Sequence, residues 1–210
     1  MKAFIYTGGT IFPENITEHP KADDIRIAAD SGFENAQKLG ERIDIALGDF
    51  DSLKGGTKNI PNEIEKVTVP AEKDETDTQL AVNLALSKGA DDILIIGGLD
   101  GRLDHTLSNM AILEAMAEMK VHCLITNGQN RIRYINSTSI LIARSGYKYL
   151  SLIAADDTVK GISIEGCKYP LHNAKLSRKF QYAVSNEIVG NCALVSVKRG
   201  GIFVIESTDK

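Results

Sequence analysis

Asp92-Ile93-Leu94-Ile95-Ile96-Gly97-Gly98-Leu99-Asp100-Gly101-Arg102-Leu103-Asp104-His105 decides the fold class. It opens as an apolar run of strand length and breaks at a pair of glycines. Beyond it, Leu107, Met110, Ala111, Leu113 and Met116 recur at helical intervals. A strand that passes through a glycine turn into a helix is the building block of a parallel sheet. The same order recurs on either side. Strand-like runs at 2–6, 25–29, 43–47, 66–69 and 121–126 end respectively in Thr7-Gly8-Gly9, Asp30-Ser31-Gly32, Gly48-Asp49-Phe50-Asp51, Pro70 and Asn127-Gly128. Leu80 and Leu84, with Ala81 and Ala85, mark a further helix. Strands alternating with helices predict an α/β domain with a mostly parallel sheet covered on both faces.

From about Ile132 the pattern changes. Runs at 139–143, 147–153, 159–164, 193–198 and 202–206 are separated by Gly, Asn and Asp, with no helical spacing between them. This half reads as an antiparallel, all-β sandwich-like domain. Gly128-Gln129-Asn130 punctuates the chain, so the expected domains are 1–130 and 131–210.

Composition narrows the function classes. Of 210 residues, 43% are apolar and 25% charged, which is ordinary globular usage. The net charge of −4 offers no basic surface to a nucleic acid or an anionic membrane. The apolar run at 93–99 is far shorter than the roughly 20 residues of a membrane span, and residues 1–20 lack a signal-peptide core, so a cytoplasmic protein is expected. Cys123, Cys167 and Cys192 are widely spaced and read as reduced core cysteines.

The unusual residues of the first half fall just after strands, and in an open parallel sheet those loops converge on one crevice. Asp30, Asp49, Asp51, Asp74, Asp77 and Asp104 would all lie in or near it. So many carboxylates repel one another unless a cation is present, and a divalent metal is the economical explanation. In Asp49-Phe50-Asp51, extended chain turns both carboxylates to one side, as shared Mg²⁺ coordination needs; the same residues also suit a plain turn. Asp74-Glu75-Thr76-Asp77 opens a helix, either with Asp74 as N-cap or with Asp77 facing the crevice and Lys73 meeting phosphate oxygens. After the strand at 92–96, Gly98 permits close backbone approach to an anion and Arg102 offers a planar donor fork, with Asp104 and His105 beside it. The chain has no P-loop, no G-x-G-x-x-G and no G-x-S-x-G.

Taken in order, Asp30-Ser31-Gly32, Gly48-Asp49-Phe50-Asp51-Ser52, Lys73-Asp74-Glu75-Thr76-Asp77 and Gly97-Gly98-Leu99-Asp100-Gly101-Arg102-Leu103-Asp104-His105 resemble the thiamine pyrophosphokinase family. Val184-Ser185-Asn186-Glu187 falls where that family has a Ser-Asn pair. The resemblance implies a homodimer with active sites at the subunit interface. It also implies transfer of a pyrophosphoryl group from ATP, as co-substrate, to the hydroxyethyl group of thiamine. Asp49, Asp51 and Asp77 match the family's Mg²⁺-holding, catalytic carboxylates, joined in catalysis by Arg102. Lys73, Asp74, Gly98, Asp104, His105 and Asn127 are expected on the nucleotide side, and Asp30, Ser185 and Asn186 at the thiamine. Two departures stand out: the chain has no Trp to stack on thiamine, and Ser31 stands where a second glycine often follows the aspartate.

Two other readings compete. A hydrophobic strand ending in D-x-D also resembles the nucleophile motif of Mg²⁺-dependent phosphohydrolases, although Ser52 stands where that motif usually has Thr. A non-catalytic nucleotide or thiamine sensor is the other, but clustered carboxylates give a binder little.

Overall fold

The computed structural model describes residues 1–49, 60–70 and 74–209. The chain divides into two compact units, Met1–Gly128 and Gln129–Lys210.

In the first unit, β1 (Lys2–Tyr6), β2 (Ile25–Ala29), β3 (Ile45–Gly48), β4 (Glu65–Thr68), β5 (Asp92–Ile96) and β6 (His122–Thr126) pair in parallel in the order β4-β3-β2-β1-β5-β6. The inner strands β1, β2, β3 and β5 are buried along almost their whole length, whereas the edge strand β4 is largely exposed. Burial on both faces is why the inner strands read as unbroken apolar runs. One face packs Phe4, Tyr6, Ala28, Ala46, Leu94 and Ile96 against Phe33 and Ala36 of α1 (Gly32–Lys38). On the other, α2 (Asp77–Ser87) lies against β1, β2 and β3, and α3 (Leu103–Glu118) against β6. Thr76 is the N-cap of α2, its side chain accepting the Gln79 N–H at 3.2 Å. The helix therefore begins two residues later than an Asp74 cap would place it, because the side chain that accepts a first-turn N–H is the Thr76 hydroxyl. The strand order reverses between β1 and β5, so the loops leaving these two strands diverge and open a crevice beyond their carboxyl ends.

The second unit is built from β7 (Asn130–Asn136), β8 (Ser139–Ala143), β9 (Tyr149–Ala154), β10 (Val159–Glu165), β11 (Leu171–Leu176), β12 (Cys192–Ser196) and β13 (Gly201–Ser207). Antiparallel pairing gives the orders β7-β13-β9 and β11-β10-β12-β8. Ile135, Leu152, Ile202 and Val204 from the first set meet Ile142, Ile162, Ile164 and Val195 from the second in one core, which makes the unit a sandwich. The strands β7 and β11 are additions to the sequence reading. In β7, Arg131 and Arg133 face inward and are neutralised by the buried Glu206 of β13. In β11, the pairing with β10 shifts register and Asn173 has φ 50°, which blurs the alternation of side chains.

Candidate active site

A cavity of about 380 Å³ lies beyond the carboxyl ends of β1, β2 and β5, within the first unit. Its floor is backbone. Thr7-Gly8-Gly9 leaves β1 and Gly97-Gly98 leaves β5, and the Gly98 N–H donates to the Gly8 carbonyl at 3.0 Å, joining the two loops. Gly98 has φ 68°, and a methyl group on it would press into the Asn109 amide and Thr7 Oγ1, so only glycine allows this approach. The Thr10 N–H donates to Asp100 Oδ1 at 2.9 Å, a second tie between the loops.

The walls are acidic. Asp30, at the end of β2, sits at φ 48° with its N–H donating to the Leu47 carbonyl at 2.8 Å. Its Oδ1 is buried and accepts no hydrogen bond among the described residues. Glu75, Thr76 and Asp77 bring the first turn of α2 to the same cavity, and Asp100 closes it from the β5 side. Arg102 and His105, at the start of α3, supply the basic contribution. Asp30 Oδ1 thus stands in the cavity as a buried carboxylate oxygen with no donor among the described residues, close to further carboxylates.

Arg102 does not hang free. Its Nε and Nη2 form a fork on Asp104, at 3.2 and 2.6 Å, with both side chains exposed. The hydrogen bond from Arg102 holds the Asp104 carboxyl below the usual carboxylate range, and the same bond raises the guanidinium. The fork expected for phosphate is thus turned to a carboxylate in the ligand-free chain, and solvent exposure leaves it free to exchange partners.

Of the residues singled out by sequence, the cavity gathers Asp30, Asp77, Gly98, Arg102 and His105. Asp49 follows β3, half-buried and outside the lining; Asp74 and Asp104 are exposed and also outside it. Asn127 is buried, with its carbonyl accepting the Phe12 N–H at 2.8 Å, and does not reach the cavity. Asp51 and Lys73 lie outside the described residues. Among the described residues no three His, Cys, Asp or Glu side chains converge closely enough to hold a metal ion by themselves.

In the second unit, Ser185 has φ 56° and an exposed side chain. Asn186 is buried, and its amide is occupied: Nδ2 donates to the Tyr169 carbonyl at 2.7 Å, while Oδ1 accepts from the N–H groups of Tyr169 at 3.0 Å and Glu187 at 2.9 Å. Its amide holds the backbone of Tyr169 and Glu187.

Sequence reasoning passed over Thr7, Gly8, Gly9, Glu75, Thr76, Asp100 and Asn109 as lining residues. One signal was present: Asn35 and Asn109 fall on helix faces otherwise occupied by apolar side chains.

Comparison with known proteins bears on the whole chain. Residues 17–125 match the family model of the thiamin pyrophosphokinase catalytic domain, and residues 137–202 match that of the thiamin pyrophosphokinase vitamin B1 binding domain. The thiamine pyrophosphokinase of Bacillus subtilis is 32% identical over 170 residues, 78% of each chain. The crystal structure of thiamine pyrophosphokinase from Bacillus subtilis superposes with a TM-score of 0.88 at 27% identity, covering 100% of both chains. That of thiamin pyrophosphokinase from Geobacillus thermodenitrificans gives 0.87 at 27% identity, covering 100% of this chain and 99% of the other. Neither the phosphohydrolase nor the sensor reading finds support in these likenesses. Two family models in the expected order, and a relative of this identity over most of the chain, establish that the chain belongs to the thiamine pyrophosphokinase family.

Proposed function

We propose that the acidic cavity beyond β1, β2 and β5 is where a pyrophosphoryl group passes from ATP to the hydroxyethyl group of thiamine. The transfer itself, with thiamine diphosphate and AMP as products, is the activity of the family. The observation that carries the placement is the unpartnered, buried Asp30 Oδ1 inside a cavity lined by three more carboxylates, Glu75, Asp77 and Asp100.

In this reading Asp77 of the cavity would hold Mg²⁺ together with Asp49, which follows β3, and Asp51, and the ion would neutralise polyphosphate charge and lower the barrier to transfer. The thiamine hydroxyl oxygen bonds to the β-phosphorus, the bond from that phosphorus to the α,β-bridging oxygen breaks, and AMP leaves with the electron pair. The hydroxyl proton goes to a carboxylate of the cavity, Asp77 or Asp30. Arg102 exchanges Asp104 for a phosphate oxygen pair, a swap that its exposure permits. Lys73, Asp74, Gly98, Asp104, His105 and Asn127 serve the nucleotide side as contacts or as supports for it. Thiamine carries a positive charge, which the acidic walls favour.

The thiamine end belongs to the second unit, with Ser185 offering its exposed hydroxyl and Asn186 fixing the Tyr169 segment beside it. With no Trp in the chain, an exposed ring of Tyr169, Phe180 or Tyr182 takes the stacking role. Those exposed rings, with Val184, also support a homodimer whose active sites lie at the subunit interface. No helix of the described residues is long and apolar enough to cross a membrane, and all three cysteines are free, which supports a cytoplasmic enzyme.

Incubation with ATP, Mg²⁺ and thiamine, followed by mass analysis, is expected to give thiamine diphosphate and AMP in equal amounts; ADP as the nucleotide product would sink the reading. Asp30→Asn and Asp77→Asn should each lower kcat by roughly a hundredfold or more while melting stays cooperative, because each removes charge aimed at the reacting groups. Near-normal turnover in both variants would move the chemistry out of this cavity.

A further inference from the structure

Asparagine is a poor helix former, and a buried amide is costly unless its hydrogen bonds are made. Yet Asn35 in α1 is 2% exposed and Asn109 in α3 is 4% exposed. Both spend their amides on the glycine loops. Asn35 Nδ2 donates to the carbonyls of Thr7 at 2.7 Å and Gly9 at 2.9 Å, and Asn109 Nδ2 donates to the carbonyl of Gly98 at 3.0 Å. The Gly8 carbonyl is taken in turn by the Gly98 N–H.

These bonds fix the directions of the loop's donors. In a trans peptide the N–H points opposite to the carbonyl of the same plane. Holding the Thr7 carbonyl on Asn35 turns the Gly8 N–H away from α1, and holding the Gly8 carbonyl on Gly98 turns the Gly9 N–H away from the β5 loop. Neither N–H has an acceptor among the described residues, and both glycines line the cavity. Adjacent backbone donors left open at a glycine loop form an anion-binding concavity.

We infer that Asn35 and Asn109 are positioning residues for the nucleotide: they clamp the carbonyls of the β1 and β5 loops so that the Gly8 and Gly9 N–H groups face the phosphates of ATP. This rests on the placement of ATP in the cavity, and the two can fail separately. The clamp acts on a ground-state contact, so its loss appears mainly in the ATP KM.

The test uses Asn35→Leu and Asn109→Leu, which keep the side chain's branched heavy-atom outline and remove its donors. The expected result is an ATP KM raised about tenfold or more in each, with the thiamine KM within about twofold of the parent. A second measurement needs no variant. Hydrogen exchange of the parent protein should show the amides around residues 7–10 gaining protection when ATP and Mg²⁺ are added and gaining none with thiamine alone. Unchanged exchange with ATP, or variants with lowered melting temperature but an unaltered ATP KM, would overturn the inference and leave the asparagines as packing. A rise in the thiamine KM, with thiamine rather than ATP protecting residues 7–10, would instead overturn the placement of ATP.

Discussion

Asn186, singled out by its motif, carries a structural task that the motif alone does not reveal. Its side chain makes three hydrogen bonds to backbone, and its own N–H and carbonyl pair with Leu150 at 3.0 and 2.8 Å. Asn186→Ala would leave the Tyr169 N–H and carbonyl and the Glu187 N–H without their partner. The expected cost is about 2–3 kcal/mol, since a buried group stripped of its partner loses more than the bond was worth. Urea unfolding of the variant beside the parent measures it; an unchanged midpoint would show that water replaces the amide without loss. Asp30, Asp77 and Arg102 were legible because a charged residue just after an apolar run is conspicuous. Thr7, Asn35 and Asn109 were not, since their roles depend on which carbonyl a folded loop presents to them. Gly32 was legible as a turn residue only. The structure adds that a methyl group there would overlap the Tyr6 carbonyl oxygen, so it also sets how closely α1 approaches β1.

At the scale of elements, legibility followed burial. Where both faces of a strand are covered the apolar run is continuous, and the runs at 2–6, 25–29 and 92–96 coincide with β1, β2 and β5. β7 was hidden because its inward positions carry arginine, a residue whose burial depends on a partner far along the chain. Arg131 meets Glu206 Oε1 at 2.5 Å and Arg133 meets Oε2 at 2.6 Å, with Glu206 only 2% exposed. Burial draws the Arg133 guanidinium below its usual range, and Glu206 pulls it back. Glu206→Ala should therefore destabilise the protein by about 3 kcal/mol or more, because two half-buried guanidinium groups lose their counter-charge. Adding Arg131→Met and Arg133→Met should recover most of that loss. A triple variant no more stable than Glu206→Ala alone would mean that the carboxylate's packing, not its charge, is what β13 supplies.

At the scale of the whole molecule, stability should fall on the alkaline side for an identifiable reason. Burial pushes the Cys123 thiol up to about 12, far above the roughly 8.5 of a free cysteine, and it raises the Tyr6 phenol as well. A group whose pKa is raised by folding contributes its full stabilisation below its unfolded value, and loses it as pH rises towards the folded one. Between pH 8 and 10 the unfolded chain sheds the Cys123 proton while the folded chain keeps it, so the unfolding midpoint should drop. Cys123→Ala should flatten that drop, whatever its effect at pH 7; an equally steep fall in the variant would assign the alkaline limb to other groups.

The other property of the whole molecule is its oligomeric state. Phe180 is 68% exposed with its ring 5.5 Å from that of Tyr182, and Tyr169, Val184 and Val189 of the same unit are exposed as well. An isolated apolar side chain on a surface needs no explanation, whereas a set of them flanking the proposed thiamine residue Ser185 fits a surface covered by a second copy. A charge introduced there would be stranded in the interface but harmless to the fold of the monomer. Phe180→Asp is therefore expected to convert a dimer into monomers by light scattering, with an unchanged circular dichroism spectrum and with most of the pyrophosphoryl transfer lost. The loss should reside in thiamine use, since the cavity that holds the carboxylates lies wholly within the first unit. A parent chain that is monomeric at micromolar concentration and fully active would end the shared-site reading, and the exposed rings would then serve thiamine from within one chain.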